Sequence, residues 1–194
     1  IAWTVPAVVS AADDVVVLSG TGRAVKAGLD AEYECRVEFD GLWTATVTLK
    51  PSSEPVEVKF LEVRGAVASG SSEHVLAPLL RPWEEGRVLL DLFEDIQGAP
   101  SSRAPIGHFW LTGMKTGLHV FTPTDGNWVY QPGRPNARLD RGPERTGLRL
   151  LLIHKPTVLS GPAAYTLGLT ATPARPAPRR TWLSGDHEWI FQPG

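Results

Sequence analysis

The sequence predicts an all-β protein, folded as an antiparallel β-sandwich or jelly roll with long loops and a C-terminal arm. Several short stretches alternate apolar and polar residues with a period of two, which is the pattern of a strand that buries one face. Glycine- and proline-rich segments separate these stretches, as is typical of sandwiches and barrels. No long stretch of the sequence has the periodicity of an amphipathic helix.

The composition is that of an ordinary globular protein. The 194 residues fit one domain, residues 1–172, followed by a proline-rich spacer and arm over residues 173–194. A net charge of −2 gives no overall attraction to nucleic acid or to an anionic membrane, so we expect neither as a partner. A single cysteine, Cys35, excludes a disulfide within the chain and a cysteine-based zinc site.

An antiparallel hairpin is the clearest local element. Residues 32–39 alternate and place Tyr33, Cys35, Val37 and Phe39 on one apolar face. The dipeptide Asp40-Gly41 is a strong signal for a tight turn. Residues 42–49 then alternate again, with Trp43, Ala45, Val47 and Leu49 on one side. We therefore expect both apolar faces, including Trp43, to pack in the core, and the Cys35 thiol to be buried and inert.

The elements that follow are less regular. Residues 56–63 predict a third strand, whose alternation slips at Phe60-Leu61 and indicates a bulge or burial on both faces. Residues 65–74 and 98–105 predict loops. Residues 87–93 favour a strand and residues 89–96 a short helix, and the sequence does not decide between them.

The second half of the chain predicts more strands. Short ones are expected over residues 108–112, 118–122 and 128–131, and stronger ones over 147–154 and 165–172. The prolines of residues 173–178 predict a stiff, extended spacer. The arginines Arg134, Arg138, Arg141, Arg145 and Arg149 are interpreted as a solvated loop whose charges partly cancel.

A short sequence pattern, or echo, occurs twice, once in the middle of the chain and once at its end. Residues 125–133 and 186–194 share the pattern Asp-x-x-Trp, a β-branched residue, an aromatic residue, and Gln-Pro-Gly. The echo predicts two strands that end at Pro-Gly turns, with chance similarity as the alternative. Because large aromatic side chains near turns give much contact area, we assign Trp128, Tyr130, Trp189 and Phe191 as binding residues outside the core.

The sequence carries no recognisable catalytic constellation. It has no phosphate-binding loop, no His-Glu-x-x-His, no Gly-x-Ser-x-Gly and no EF-hand loop, so we expect neither an enzyme nor a cofactor. His108, His119 and His154 fall in predicted strands and are interpreted as surface or core residues rather than metal ligands.

Two stretches carry a resemblance to a known class of protein. Gly41-Leu-Trp43-Thr-Ala-Thr-Val-Thr-Leu49 resembles a hairpin arm of small β-sandwich proteins from tailed-phage particles. Gly147-Leu-Arg-Leu150-Leu-Leu-Ile153, together with residues 161–173, is similar to the closing pair of strands in those proteins. Jelly-roll coat proteins of icosahedral viruses fit nearly as well. The resemblance implies a β-sandwich that acts by assembly and carries over no catalytic or ligand residue.

We therefore predict a structural virion protein: a capsid, decoration or tail-associated subunit. It is expected to form homo-oligomers and to contact other virion subunits. The alternative is a carbohydrate-binding β-sandwich module whose partner is a glycan. In the first case, the tail over residues 186–194 is predicted to add a strand to a neighbouring subunit, with Trp189 and Phe191 as anchors.

Overall fold

The computed structural model describes residues 1–77, 79–93, 107–131 and 133–173. Within those ranges the chain forms β-strands and two short 3-10 helices, Val25–Ala27 and Ser69–Ser71, and no α-helix. No helix in the described ranges is long and apolar enough to cross a membrane. All strand pairs outside one isolated bridge are antiparallel, so the predicted all-β, antiparallel fold class is confirmed.

Sixteen strands make up the described structure. In chain order they are β1 (Ala2–Trp3), β2 (Ala7–Ala11), β3 (Val15–Ala24), β4 (Leu29–Glu38), β5 (Leu42–Pro51), β6 (Val56–Val58), β7 (Leu61–Ala68), β8 (His74–Ala77), β9 (Leu79–Arg81), β10 (Arg87–Leu90), β11 (Gly107–Thr112), β12 (Gly117–Thr122), β13 (Ala137–Arg141), β14 (Arg145–Ile153), β15 (Thr157–Leu159) and β16 (Ala163–Thr172).

A large sheet and a small one form the sandwich. The large sheet has ten strands in the order β1-β3-β4-β5-β16-β12-β11-β8-β9, with β2 also paired to β3. The small sheet has four strands in the order β10-β13-β14-β7, and β6 and β15 form a separate pair. Phe109 and Val120 of the large sheet and Leu139 and Leu150 of the small sheet belong to one buried cluster. The core therefore lies between the two sheets, as in other sandwiches.

The predicted hairpin is confirmed. Strands β4 and β5 pair with Val37 opposite Trp43 and Cys35 opposite Ala45. At the turn, Gly41 has a φ of +90°, which favours glycine, and the Leu42 backbone N–H donates to Asp40 Oδ1 at 2.9 Å. The Cys35 thiol is buried, and burial raises its pKa, as expected.

The expectation that Trp43 is a core residue is wrong. Its side chain is only half-buried. The hairpin joins the core through its other end, where Leu29, Ala31 and Leu49 belong to the buried cluster. Alternation assigned Trp43 to the correct face, but the part of that face that is covered depends on the second sheet.

Three local assignments between residues 56 and 96 need correction. The predicted strand over residues 56–63 is two strands, because β6 pairs with β15 whereas β7 pairs with β14. Phe60 lies at the break between them and is exposed, so the predicted burial on both faces is wrong there. An irregularity does occur beside it, because Glu62 pairs with Leu151 whereas Leu61 pairs with Ile153. The predicted loop over 65–74 is wrong at both ends, where β7 and β8 extend into it. In the undecided segment, residues 87–90 form strand β10.

The arginine-rich stretch is a strand hairpin rather than a loop. Arg138 and Arg149 face each other across β13 and β14. The Arg138 guanidinium donates to Asp140 at 2.8 Å, and Arg87 lies 3.2 Å from the same carboxylate. The hydrogen bond from Arg138 and, to a smaller extent, that from Arg87 hold the pKa of Asp140 below its usual value. The predicted cancellation of charge is thus partly made by one ion pair within β13, between Arg138 and Asp140, and one across strands, between Arg87 and Asp140.

Two further predictions are corrected, and two lie outside the described residues. Residues 128–131 form no strand but only a single parallel bridge from Val129 to Ile153. The two strands expected to close the fold as a pair, β14 and β16, lie in different sheets. The loop predicted over residues 98–105 and the arm beyond residue 173 lie outside the described residues.

Because the small sheet covers only part of the large sheet, replacing two of its aromatic side chains with alanine should lower the free energy of unfolding by different amounts. Phe109→Ala should cost ~3–5 kcal/mol of unfolding free energy, because the ring is fully buried. Trp43→Ala should cost less than half as much, since its ring is half-buried. Urea unfolding of both variants measures the difference, with exposed Met114→Ala as the control. Equal costs for the two variants would contradict the placement of the core.

Candidate functional site

The outer face of the large sheet carries a group of aromatic side chains. Strands β11 and β12 bury Phe109, Leu111 and Val120 on the inner face. Because side chains alternate along a strand, the intervening residues lie on the outer face. We call these residues the outer aromatic cluster: His108, Trp110, His119 and Phe121.

The rings of the outer aromatic cluster stack across the two strands. Trp110 lies opposite His119 in the strand register, and their rings stack with centroids 4.0 Å apart and planes 7° apart. Phe121 continues the row at 5.2 Å from His119. His108 lies 5.7 Å from His119 and meets it edge-on. All four side chains are half-buried, so the cluster is a preorganised apolar surface still open to solvent.

A glycine on the neighbouring strand makes room for this row. Gly168 of β16 lies opposite Phe121, and a Cβ built at Gly168 would overlap the Phe121 ring. The flanking Leu167 and Leu169 lie on the inner face and pack against the core. Glycine therefore lets the Phe121 ring lie directly over the backbone of β16.

His119 is adapted to remain neutral. Burial, and next the charge of His108, lower the pKa of His119 below its usual value. Its Nε2 atom is buried and has no hydrogen-bond partner in the part of the chain that the structure describes. His154, the third histidine considered in the sequence as a possible metal ligand, follows β14 of the other sheet. The described residues contain no group of three or more possible metal ligands.

Hydroxyl and carboxylate groups extend the outer face away from the aromatic rings. Thr46 and Thr166 share a hydrogen bond between their Oγ1 atoms at 2.9 Å. Beyond them a hollow of about 530 Å³ is lined by side chains with oxygen atoms: Ser19, Thr21, Glu32, Glu34, Thr46 and Thr48. Thr44 of β5 and Phe121 of β12 pair with Gly168 of β16 from opposite sides. The polar and aromatic groups are therefore two strand spacings apart, or ~10 Å.

Two of the predicted binding residues, Trp128 and Tyr130, lie outside the outer aromatic cluster. Trp128 is only 7% exposed and packs in the core, edge-on to Phe93 at 5.1 Å, so the expectation that it lies outside the core is wrong. The Val129 backbone bonds to Leu152 and His154, and this draws Trp128 against the sandwich. Tyr130 is half-buried, and its hydroxyl donates to Asp125 Oδ2 at 3.1 Å.

Trp189 and Phe191 lie outside the described residues. The binding roles assigned to Trp128, Tyr130, Trp189 and Phe191 remain predictions. The outer aromatic cluster was missed, although its signal was present in the sequence. His108 and Trp110, and likewise His119 and Phe121, occupy alternate positions of two strands that were correctly predicted.

The fit between Gly168 and Phe121 predicts a sensitive position. Gly168→Ala should destabilise the fold by ~1–3 kcal/mol, because the added methyl group displaces the Phe121 ring. The matched control is Gly65→Ala, since Gly65 also lies within a strand but has open space around its Cβ position. Denaturant unfolding compares them. A Gly168→Ala variant as stable as the control would disprove the close contact.

No protein-family model matches the chain, and no curated protein is similar enough to match it. Among solved structures, the chain is similar to a "putative aldose 1-epimerase" of Escherichia coli K12, with a TM-score of 0.42 and 12% sequence identity. The match covers 86% of this chain and 68% of that chain. At so low a TM-score the likeness does not establish a shared fold, so the fold class rests on the two sheets themselves.

Proposed function

We propose that this chain is a non-catalytic carbohydrate-binding β-sandwich module. The observation that carries the proposal is the half-buried row of Trp110, His119 and Phe121 on a sheet face that is otherwise rich in threonine. A sugar ring presents an apolar face of C–H groups and a rim of hydroxyl groups. Aromatic rings with hydroxyl and carboxylate side chains further along the same face complement both parts of a ligand that spans several sugar units.

The chemistry of the row suits an uncharged ligand. His119 has a lowered pKa and is flanked by aromatic rings, so the row is neutral near neutral pH. The hydrogen bonds that select among sugars come from the polar side of the face, where Thr44 and Thr46 are half-buried. A face that spans five strands from β3 to β12 suits an extended glycan better than a single sugar unit.

Substitution of Trp110 tests this proposal. Trp110→Ala should weaken binding to a responsive polysaccharide, identified by affinity electrophoresis, by roughly tenfold or more, because it removes the largest ring of the row. Trp43→Ala is the matched control, since Trp43 is half-buried on the opposite face of the same sheet. Unchanged affinity in Trp110→Ala, or equal losses in both variants, would refute the assignment of the outer face.

A second proposal is assembly into homo-oligomers as a structural virion subunit, as the sequence resemblance implies. The observation that favours it is the exposed apolar edge of the large sheet, where Val5, Val8 and Val9 are 88%, 64% and 63% exposed. Such an edge offers apolar area and backbone groups to a partner. Pro6 and the irregularity between Val8 and Ser10 interrupt the edge and limit regular strand addition there.

The mass of the protein in solution tests the second proposal. A structural subunit should form a symmetric oligomer, and deletion of residues 181–194 should leave the sandwich folded but weaken assembly. Light scattering and circular dichroism of both forms measure the two properties. A monomer at all accessible concentrations, or a deleted form that assembles normally, would count against assembly through the tail.

A further inference from the structure

The outer face of the small sheet is strongly basic. Strands β13 and β14 bury Leu139, Leu148 and Leu150 on the inner face. Because side chains alternate along a strand, the residues between them lie on the outer face, with the residues that pair with them on β7 and β10. We call this surface the arginine face, and its charged residues are Arg64, Arg87, Arg138, Arg145 and Arg149, with Glu62 and Asp140.

Three of these arginines lie side by side across three neighbouring strands. In the strand register Arg138 lies opposite Arg149, and Arg149 lies opposite Arg64. Residues directly opposite each other have Cα atoms about 5 Å apart and side chains on the same face. Like charges in such pairs destabilise a sheet. Positions where a sequence departs from local preference in this way are expected at functional sites.

The two carboxylates of the arginine face leave the middle of this arginine row unpaired. Asp140 accepts hydrogen bonds from Arg138 and lies 3.2 Å from Arg87. Glu62 forms an ion pair with Arg64. Arg149 is half-buried, and its guanidinium has no ion pair or side-chain hydrogen bond among the described residues. Five arginines and two carboxylates leave three positive charges on this face, in a chain whose net charge is −2.

The chemistry of the row suits several anionic groups carried on one chain. A guanidinium is planar and donates two parallel hydrogen bonds to a carboxylate or a similar oxyanion. An anionic group over Arg149 has Arg138 on one side and Arg64 on the other. The row crosses two strand spacings, or about 10 Å, which is more than one such group covers.

The arginine face lacks the features by which proteins hold nucleic acids. Single-stranded nucleic acids bind to sheets whose aromatic side chains stack on the bases. On β7, β10, β13 and β14 the uncharged residues of the arginine face are only leucine, alanine and glycine. The major groove of DNA, about 12 Å wide, admits a helix or a two-stranded ribbon, whereas this face is four strands wide.

We propose that the arginine face binds an anionic polysaccharide, whose carboxylate or sulfate groups contact Arg64, Arg149 and Arg138. The proposal does not rest on the outer aromatic cluster, because the outer faces of the two sheets lie on opposite sides of the sandwich. The outer aromatic cluster suits an uncharged glycan, so the two sites are tested with different ligands.

Two polyanions, heparin and polygalacturonate, test the proposal by isothermal titration calorimetry on the full chain. Polygalacturonate carries only carboxylates, so binding to both assigns the carboxylate, and binding to heparin alone assigns the sulfate. Arg149→Gln should weaken binding roughly tenfold. It should also reduce the slope of log affinity against log salt concentration by about one. The matched control, Arg23→Gln, removes the same charge from exposed Arg23 on the large sheet and should change neither.

The stability of the variants separates ligand binding from a structural role. The urea midpoint of Arg149→Gln should not fall, because the substitution removes repulsion from Arg138 and Arg64 and breaks no ion pair among the described residues. Trp110→Ala should leave the affinity for both polyanions unchanged.

Three results would overturn the proposal. The first is failure of both polyanions to bind at low salt. The second is an equal loss of affinity in Arg149→Gln and Arg23→Gln, which would indicate attraction by net charge alone. The third is binding of single-stranded or duplex DNA as tightly as either polysaccharide, which would assign the arginine face to nucleic acid instead.

Discussion

Phe109, Leu111 and Val120 of the large sheet pack against Leu139 and Leu150 of the small sheet, and the rest of the structure depends on that packing. A strand places alternate side chains on opposite faces, so burying one set fixes where the other set lies. On β11 and β12 the buried set is aliphatic and aromatic, and the other set is the outer aromatic cluster. A shift of one residue in register would exchange the two sets.

The small sheet covers only part of the large sheet, and this leaves an apolar cleft on the inner face of the large sheet. Four strands cannot cover ten, so the inner face of the large sheet remains partly open beside the core. Where the cover ends, aliphatic side chains of both sheets line an apolar cleft, and the buried Tyr165 hydroxyl has no hydrogen-bond partner among the described residues. The module therefore offers two surfaces of opposite character: a flat face of rings and hydroxyl groups, and an apolar cleft.

Local signals in the sequence predicted the elements that local interactions stabilise. The β4–β5 hairpin followed from its alternation and from Asp40-Gly41, because both act between neighbours in sequence. Long-range contacts decided what failed. Trp43 was expected in the core but is half-buried, and Trp128 was expected outside the core but is buried. The extent of the small sheet decides the first, and the bridge from Val129 to Ile153 decides the second. Neither can be predicted from the residues nearby in sequence. The first strands were missed because residues 15–24 begin with an unbroken apolar run rather than alternation. The outer aromatic cluster was predictable from alternation alone.

The most direct test of the central claim is a map of backbone amide shifts on the folded protein during titration with a polysaccharide that it binds. If the outer face is the sugar site, the largest shifts will fall on β11, β12 and β16, around Trp110, Phe121 and Gly168, while β10 and β13 of the small sheet remain unchanged. Shifts concentrated on the small sheet or on the strand β2 edge, with none near Trp110, would contradict the account.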